Sequence, residues 1–448
     1  MMKAKRKRIL LPLLYPYYLF EYLEYVALHL AEKGFVVKVV TFSEEVRTQY
    51  ERIHDHINVV NGPFLLRALL GRSGKVYARP FLWVVSWVWS CIQKRRYDFV
   101  ILPWDNKPIW YTLGKCLPSL SSHTTTEFMN AKKTEEKYTE TESRRGTRVV
   151  KFIDSYLWRG FLPRVGGSIS KYRPLRLIID RVCGFHAKNY LGGFGGSHIF
   201  TVTGEAIREN YVQLGLRKKQ IEVVGSPGYD RLIRVRDTFQ DEDQKRFKEE
   251  HGLPLDQEII TFFLSPSTFS DIQKKEVMEV VGTLSKEKPT AFFVLKFHPK
   301  TVLEDIAFFK DAVDGLLQGS AQYKIVTDFS GDAYNAKLML VSSCLVQKQC
   351  TLGFLAMMLR VPMISYNFYV TDYEDDMYEM MNGSWHVDSR QGLREAISFL
   401  ETPEKQNELL AMQKRACEKY CLDGGDACNR ISRIVASHLA ASSRRVVQ

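Results

Sequence analysis

The stretch Phe292–Lys300, FFVLKFHPK, ends an apolar run in His298-Pro299. Phe292–Phe297 reads as a buried parallel strand, short and rich in aromatic and β-branched residues. Proline has no N–H to give to a ladder, so Pro299 stops the strand. His298 then stands at the carboxyl end of the strand, where open α/β sheets bind their ligands. With Lys296 and Lys300 close by, a histidine there suits a phosphate-bearing ligand; a plain loop histidine is the alternative. Two more loops carry hydroxyls where strands are expected to end. Ser265, Ser267 and Thr268 follow an expected strand Glu258–Leu264, and Ser342-Ser343 follow an expected strand Lys337–Val341. Thr351 opens an expected helix, Thr351–Leu359. Hydroxyls and the free N–H groups of helix starts bind phosphate, although serine is also an ordinary N-cap. The candidate phosphate-binding set is therefore Ser265, Ser267, His298, Lys300, Ser342, Ser343 and Thr351.

In the first half, Asp105, His123, Glu127 and Glu205 lie at or near expected strand ends. A carboxylate or histidine there could take a proton from an acceptor hydroxyl. Asp105 and Glu127 are the candidate bases, while a solvated loop residue is the alternative reading for each. Gly192–Gly196 precedes a strand, whereas a dinucleotide-binding glycine motif follows one, so it reads as a turn. There is no GxxxxGK[ST], no HExxH and no GxSxG in a plausible context. The 8 cysteines include no CxxC pair. They read as reduced thiols of a cytosolic protein, and no metal is expected.

These residues need a scaffold, and strand and helix patterns alternate along the whole chain. Strand Arg8–Leu14, helix Leu19–Lys33 closed by Gly34, and strand Phe35–Phe42 make a β-α-β unit. Strands Asp98–Leu102, Ser197–Val202 and Ile221–Val224 follow, with a polar stretch from about Ser121 to Arg148 between the first two. Tyr229–Gln257 is highly charged and reads as a link. A second alternating block then runs through Glu258–Leu264, helix Ile272–Lys286, Phe292–Phe297, Tyr323–Thr327, Lys337–Val341 and Met363–Tyr366. The expected domains are 1–228, a linker 229–257, a second domain 258–400, and a helical tail 401–448. The fold class is α/β, with two Rossmann-like domains facing each other across a cleft.

The 448 residues suffice for two or three domains. Sixty-three lysines and arginines against 51 acidic residues leave a net charge of +12, which favours an anionic partner. The basic residues are scattered, so no nucleic-acid partner is expected. Lys3–Arg8 followed by the apolar Ile9–Phe20 imitates a signal peptide, but Pro12 and Pro16 break that run. The longest apolar stretch, Phe81–Ile92, falls short of a membrane span. It holds Trp83, Trp87 and Trp89, flanked by Arg79, Lys94, Arg95 and Arg96. Tryptophan beside basic residues suits an anionic membrane surface; a buried core helix is the alternative. A docking site would need the tryptophans exposed.

The order TVTGEAIRENYVQLGLRKKQIEVVGSPGYDRL, ITFFLSPST, VLKFHPK, LMLVSSCLVQKQCTLGFLAMMLRVPMISYNF resembles the GT-B-fold glycosyltransferases of bacterial surface-polysaccharide synthesis. Their relatives include non-hydrolysing nucleotide-sugar 2-epimerases and teichoic-acid glycerophosphotransferases. The resemblance covers roughly Ser197–Leu439. It implies a nucleotide-sugar donor as substrate without a cofactor, held through Ser265, Ser267, His298 and the paired Ser342-Ser343. Asp423-Gly424-Gly425-Asp426 and the following helix resemble a tail that packs back across both domains. Leu355 stands where many relatives place a ribose-binding glutamate, which weakens the case for UDP. The expected activity is sugar transfer to a surface glycan or lipid-linked acceptor, in the cytoplasm at the inner membrane face. The alternatives are a UDP-N-acetylglucosamine 2-epimerase-like enzyme, a CDP-glycerol glycerophosphotransferase-like enzyme, or an inactive nucleotide- or glycan-binding scaffold.

Overall fold

Successive residues of RILLPL, Arg8–Leu13, point to opposite sides, Ile9, Leu11 and Leu13 into one apolar layer and Leu10 into another, so the segment forms a strand covered on both faces. This strand, β1, opens a computed structural model that describes residues 7–13, 24–42, 57–71, 79–102, 108–122, 195–317, 322–327, 331–348, 350, 352–369, 381–422 and 425–445. The chain divides into two units: Met1–Gly228 with Asp426–Gln448, and Tyr229–Gly425.

The first unit holds β1, β2 (Val36–Thr41), β3 (Asn58–Asn61), β4 (Phe99–Leu102), β5 (Ser119–Ser122), β6 (Ile199–Val202) and β7 (Ile221–Val223). They form a parallel sheet in the order β3-β2-β1-β4-β5-β6-β7. Its helices are α1 (Glu24–Glu32), α2 (Phe64–Gly71), α3 (Arg79–Lys94), α4 (Pro108–Cys116) and α5 (Glu205–Gln213). Ile9, Leu11, Leu13, Phe99 and Ile101 cover one sheet face with Val26, Ala27 and Leu30 of α1. Leu10, Val100 and Leu102 cover the other with Leu82 and Trp89 of α3 and Trp110 of α4. Gly34 and Gly215 end α1 and α5 at φ +85° and +97°, a conformation glycine adopts without a Cβ clash.

The second unit repeats the plan. It begins with α6 (Pro227–Thr238), whose first two residues belong to the first unit, and α7 (Asp241–Glu250). Strands β8 (Ile259–Leu264), β9 (Phe292–Phe297), β10 (Gln322–Val326), β11 (Cys344–Gln347), β12 (Met363–Tyr366) and β13 (Trp385–Val387) alternate with α8 (Asp271–Glu287), α9 (Leu303–Leu316), α10 (Gly331–Leu340), α11 (Leu352–Leu359), α12 (Arg390–Leu400) and α13 (Pro403–Tyr420). The sheet is parallel, in the order β10-β9-β8-β11-β12-β13. In both sheets the chain winds outward to one side, returns, and winds out to the other. The order reverses between β1 and β4 in the first unit and between β8 and β11 in the second. Such a switch point opens a crevice at the carboxyl ends of the two strands. The last helix, α14 (Ala427–Arg445), returns to the first unit, where Ile431, Val435 and Leu439 join the β1–α1 core.

Three expectations are corrected. The charged segment 229–257 is no free link: it forms most of α6 and all of α7, and Phe239, Phe247 and Leu253 are buried against Ile259 and Phe292 of the second sheet. Lys337–Val341 is no strand. It is the end of α10 and the following turn, where Leu338 and Val341, three apart on one helical face, enter the same core. Trp83 and Trp89 are no surface anchors, being 1% and 7% exposed, whereas Trp87 is 37% exposed. Helical spacing turns Trp83 and Trp89 toward the core, where Trp83 meets Tyr111 and Trp89 meets Phe42 edge-on. Among the described residues no helix is long and apolar enough to cross a membrane.

Candidate functional site

At the carboxyl edge of the second sheet, the loops after β8 and β9 are laced together. The His298 N–H donates to the Leu264 carbonyl (2.9 Å), and the Val302 N–H to that of Ser267 (3.0 Å). Thr301 donates its hydroxyl to the Pro266 carbonyl (2.9 Å). Below them, Asp305 accepts the Phe269 N–H (2.8 Å) and pairs with Lys274 (2.7 Å). Burial opposes the charge on Asp305, but Lys274 and the Phe269 N–H outweigh it and hold its pKa below the ordinary carboxylate value.

His298 is exposed on this edge. The Lys300 N–H donates to its Nδ1 (3.1 Å), which makes Nδ1 an acceptor and puts the proton of the neutral ring on Nε2. Desolvation by partial burial, then the charges of Lys300 and Lys296, hold the imidazole below its ordinary pKa of 6.5. The ring is therefore neutral at pH 7, carries a donor, and sits in the field of two cations. Such a group donates to an anionic oxygen and gains a proton readily once a phosphate offsets the lysines. Lys296 is 5% exposed at the end of β9, and its charge also acts on Cys350. Burial nevertheless pushes the Cys350 thiol up to about 11, so it is inert.

Across the switch point, Ser265 donates its hydroxyl to the Lys348 carbonyl (3.3 Å), tying the β8 loop to the β11 loop. Lys348 extends its ammonium to Glu276 on α8 (2.6 Å). Glu276 also accepts the Tyr369 N–H after β12 (3.1 Å), while the Tyr369 hydroxyl donates to Glu279 (2.7 Å). One wholly buried carboxylate thus holds two of the loops that rim the crevice. Gln347 accepts the Cys350 N–H (2.6 Å), but among the described residues its buried Nε2 has no partner, and neither has the buried Oδ1 of Asn367. Buried polar atoms are rarely left unsatisfied. Gln347 ends β11 at the reversal and Asn367 follows the adjacent β12, so both atoms lie at the carboxyl edge, where a polar ligand would meet them.

The structure brings Ser265, Ser267, His298 and Lys300 to one edge, with Ser267 exposed. It removes Ser342 and Ser343 from that group. They precede β11 and lie at the amino edge, where the Ser343 N–H donates to the Ile259 carbonyl at the start of β8. The six residues of β8 separate the two edges by roughly 17 Å. Ser342 Oγ donates to the Leu338 carbonyl (2.7 Å) and meets Thr261 Oγ1 (2.8 Å); Ser343 Oγ donates to Glu258 (3.0 Å). The cavity beside Ser343, lined by Glu258, Lys288 and Glu401, has about 110 Å³, too small for a nucleotide. Sequence reasoning missed Glu276, Lys348 and Gln347. The one available signal was the polar QKQ run of Gln347–Gln349 breaking an apolar segment.

Asp105, His123, Glu127, Thr351, Asp423 and Gly424 lie outside the described residues, as does the side chain of Arg79. Glu205 pairs with Arg208 one helical turn away. Leu355 is fully buried in α11, a packing residue. Among the described residues no group of three or more histidine, cysteine, aspartate and glutamate side chains could hold a metal.

No protein-family model matches the chain, and no curated protein matches it significantly. Solved structures do. The UDP-GlcNAc 2-epimerase from Neisseria meningitidis, bound to UDP-GlcNAc, superposes with a TM-score of 0.54 at 12% identity, covering 96% of this chain and 100% of its own. The wall teichoic acid polymerase TagF gives 0.55 at 10% identity, covering 98% and 90%. A glycosyltransferase from Rickettsia africae gives 0.52 at 12% identity, covering 98% and 99%. At such identities the likeness speaks for architecture: two α/β units built on parallel sheets, the GT-B type of fold shared by glycosyltransferases, the teichoic acid polymerase and the 2-epimerase.

Proposed function

We propose that the protein is a glycosyltransferase that moves a sugar from a nucleotide-activated donor to a surface-glycan or lipid-linked acceptor. The observation that carries this reading is the carboxyl edge of the second sheet, where a neutral His298 with its proton on Nε2 stands in the field of Lys296 and Lys300 beside the strand-order reversal. The donor's phosphates bind there, with the Ser267 hydroxyl and the free N–H groups at the start of α9 as further donors. As the nucleotide leaves, negative charge grows on its terminal phosphate. His298 and the two lysines stabilise that charge without reorganising. A carboxylate of the first unit, Asp105 or Glu127, takes the acceptor proton; this role rests on sequence alone. Of the solved structures, one is described as bound to UDP-GlcNAc and another is a glycosyltransferase, which supports a nucleotide sugar as the ligand class.

A thermal-shift panel of UDP, CMP, CDP, GDP and their sugars tests the reading, because a ligand that binds the native state alone raises its stability. One nucleotide should stabilise the wild type, and His298→Ala should lose most of that shift. No stabilisation by any nucleotide would refute it. The 2-epimerase reading separates in the next assay: transfer consumes donor in proportion to acceptor, whereas epimerisation changes the free nucleotide sugar without one.

A further inference from the structure

Helix α3 reverses the usual pattern of a surface helix. Phe81, Val84, Trp87, Val88 and Ile92 face outward, exposed by 65%, 63%, 37%, 57% and 45%. With the exposed Cys91 they recur every three or four residues, making one continuous stripe. The polar residues face inward: Ser86, Ser90 and Gln93 are buried, and Ser90 Oγ meets Thr112 Oγ1 of α4 at 2.9 Å. A helix bordering only water carries its charges outside. From Phe81 to Ile92 this stripe carries none, and Arg79–Arg96 contains no acidic residue. The stripe then ends in Lys94, Arg95 and Arg96, all exposed. Helix α2, which packs on α3, adds Phe64 and Leu65, both exposed, in its first turn.

Contiguous apolar surface of this kind marks a partner, and the charges select which. A second copy would have to place apolar stripe on apolar stripe and find acids for Lys94, Arg95 and Arg96, and the stripe offers none. An anionic bilayer supplies both halves: an apolar layer at the depth of the headgroup boundary and phosphates for the three cations. We propose that the outer face of α3 is a docking surface for an anionic lipid bilayer, with Phe81, Val84, Trp87, Val88 and Ile92 entering the headgroup boundary and Lys94, Arg95 and Arg96 on lipid phosphates. Docking uses Trp87 and leaves Trp83 and Trp89 in the core. It holds the protein by one flank of the first unit, reversibly and without a spanning helix. The surface is independent of the nucleotide reading.

The test is co-sedimentation of the full chain with vesicles of phosphatidylcholine alone or mixed with phosphatidylglycerol. The wild type should bind the mixed vesicles. Replacing Lys94, Arg95 and Arg96 together by glutamine should weaken that binding roughly 100-fold. The outward triple change Val84→Ser, Trp87→Ser, Val88→Ser should abolish it while melting within a few degrees of the wild type. Trp87→Phe should still bind but lose most of the fluorescence quenching by brominated lipid. Binding that ignores phosphatidylglycerol, or survives both triple changes, overturns the proposal. So does a wild-type dimer that the serine variant splits, which would assign the face to a second copy. A serine variant that melts far below the wild type also overturns it, because the face would then be covered by the protein itself. Nucleotide thermal shifts, measured in parallel, should be the same in every variant whichever way the docking result falls.

Discussion

The Glu276–Lys348 pair allows a quantitative test of how the candidate site is held. The Glu276 side chain is 1% exposed and that of Lys348 14%, with 2.6 Å between the charged atoms. Removing one partner of such a pair strands the other in a poorly solvated place, at a cost of about 3–5 kcal/mol. Because Lys348 keeps some access to water, the lower end applies to the charge alone, about 3 kcal/mol. Glu276→Ala also orphans the Tyr369 N–H, which adds about 1–2 kcal/mol. Glu276→Gln keeps an acceptor for that N–H and should cost about 2–3 kcal/mol. The double change Glu276→Ala, Lys348→Met removes both charges and should recover at least about 2 kcal/mol of the alanine loss. In a unit of this size about 4 kcal/mol lowers the melting temperature by roughly 10 °C. Calorimetry measures the melting. Hydrogen exchange locates the effect, which should fall first on the segments around Lys348 and Tyr369. Two results would refute the reasoning: a double variant as unstable as Glu276→Ala, or a glutamine variant within 0.5 °C of the wild type with unchanged exchange.

His298→Ala should weaken nucleotide binding by about 10- to 100-fold, the worth of one hydrogen bond to a charged phosphate, as read by calorimetric titration. A bound phosphate should raise the lowered pKa of His298, followed by imidazole proton shifts, so affinity should rise as pH falls through the bound-state pKa and level off below the free-state pKa; an unmoved titration would remove His298 from the ligand. Ser343→Ala should leave nucleotide binding unchanged, and Ser342→Ala should cost about 1–2 kcal/mol of stability by orphaning Thr261, with binding likewise intact. In the first unit, burial, then His438 and Lys115, hold His198 below 6.5. The unfolded chain takes up that proton first, so stability should fall as pH drops from 6.5 toward the folded-state pKa, and His198→Gln should flatten the urea-midpoint profile there.

Much of the scaffold could be read from single segments. Phe292–Phe297 and Met363–Tyr366 are strands at the expected residues, and α8 exceeds its expected span Ile272–Lys286 by one residue at each end. Long or sharply bounded apolar patterns leave little choice of period. LMLVSSCLVQ holds two short apolar runs around two serines, and either run could be the strand. The second is, because Cys344–Gln347 pairs with β8 and β12, contacts that no local pattern reveals. That one displacement moved Ser342-Ser343 to the wrong edge of the sheet. Glu276 and Lys348 escaped notice because 72 residues separate them and neither sits in a recognisable motif. In FLWVVSWVWSCI the composition signalled something unusual, but which tryptophan faces out depends on where α4 packs.

The return of α14 to the first unit makes that unit discontinuous in the chain, with the second inserted between Gly228 and Asp426. Ile431, Val435 and Leu439 fill the same core as Ile9, Leu11 and Val26. During synthesis the first sheet therefore emerges with one face only partly covered, by α1, and waits for a helix encoded roughly 200 residues later, about 10–40 s at typical translation rates. The inserted unit is contiguous and can close its own core meanwhile. Nascent-chain stability should thus arise out of sequence order, the later-made unit becoming protease-resistant before the earlier one. Losing the α14 segment should leave the second unit folded and the first exposed to aggregation and degradation.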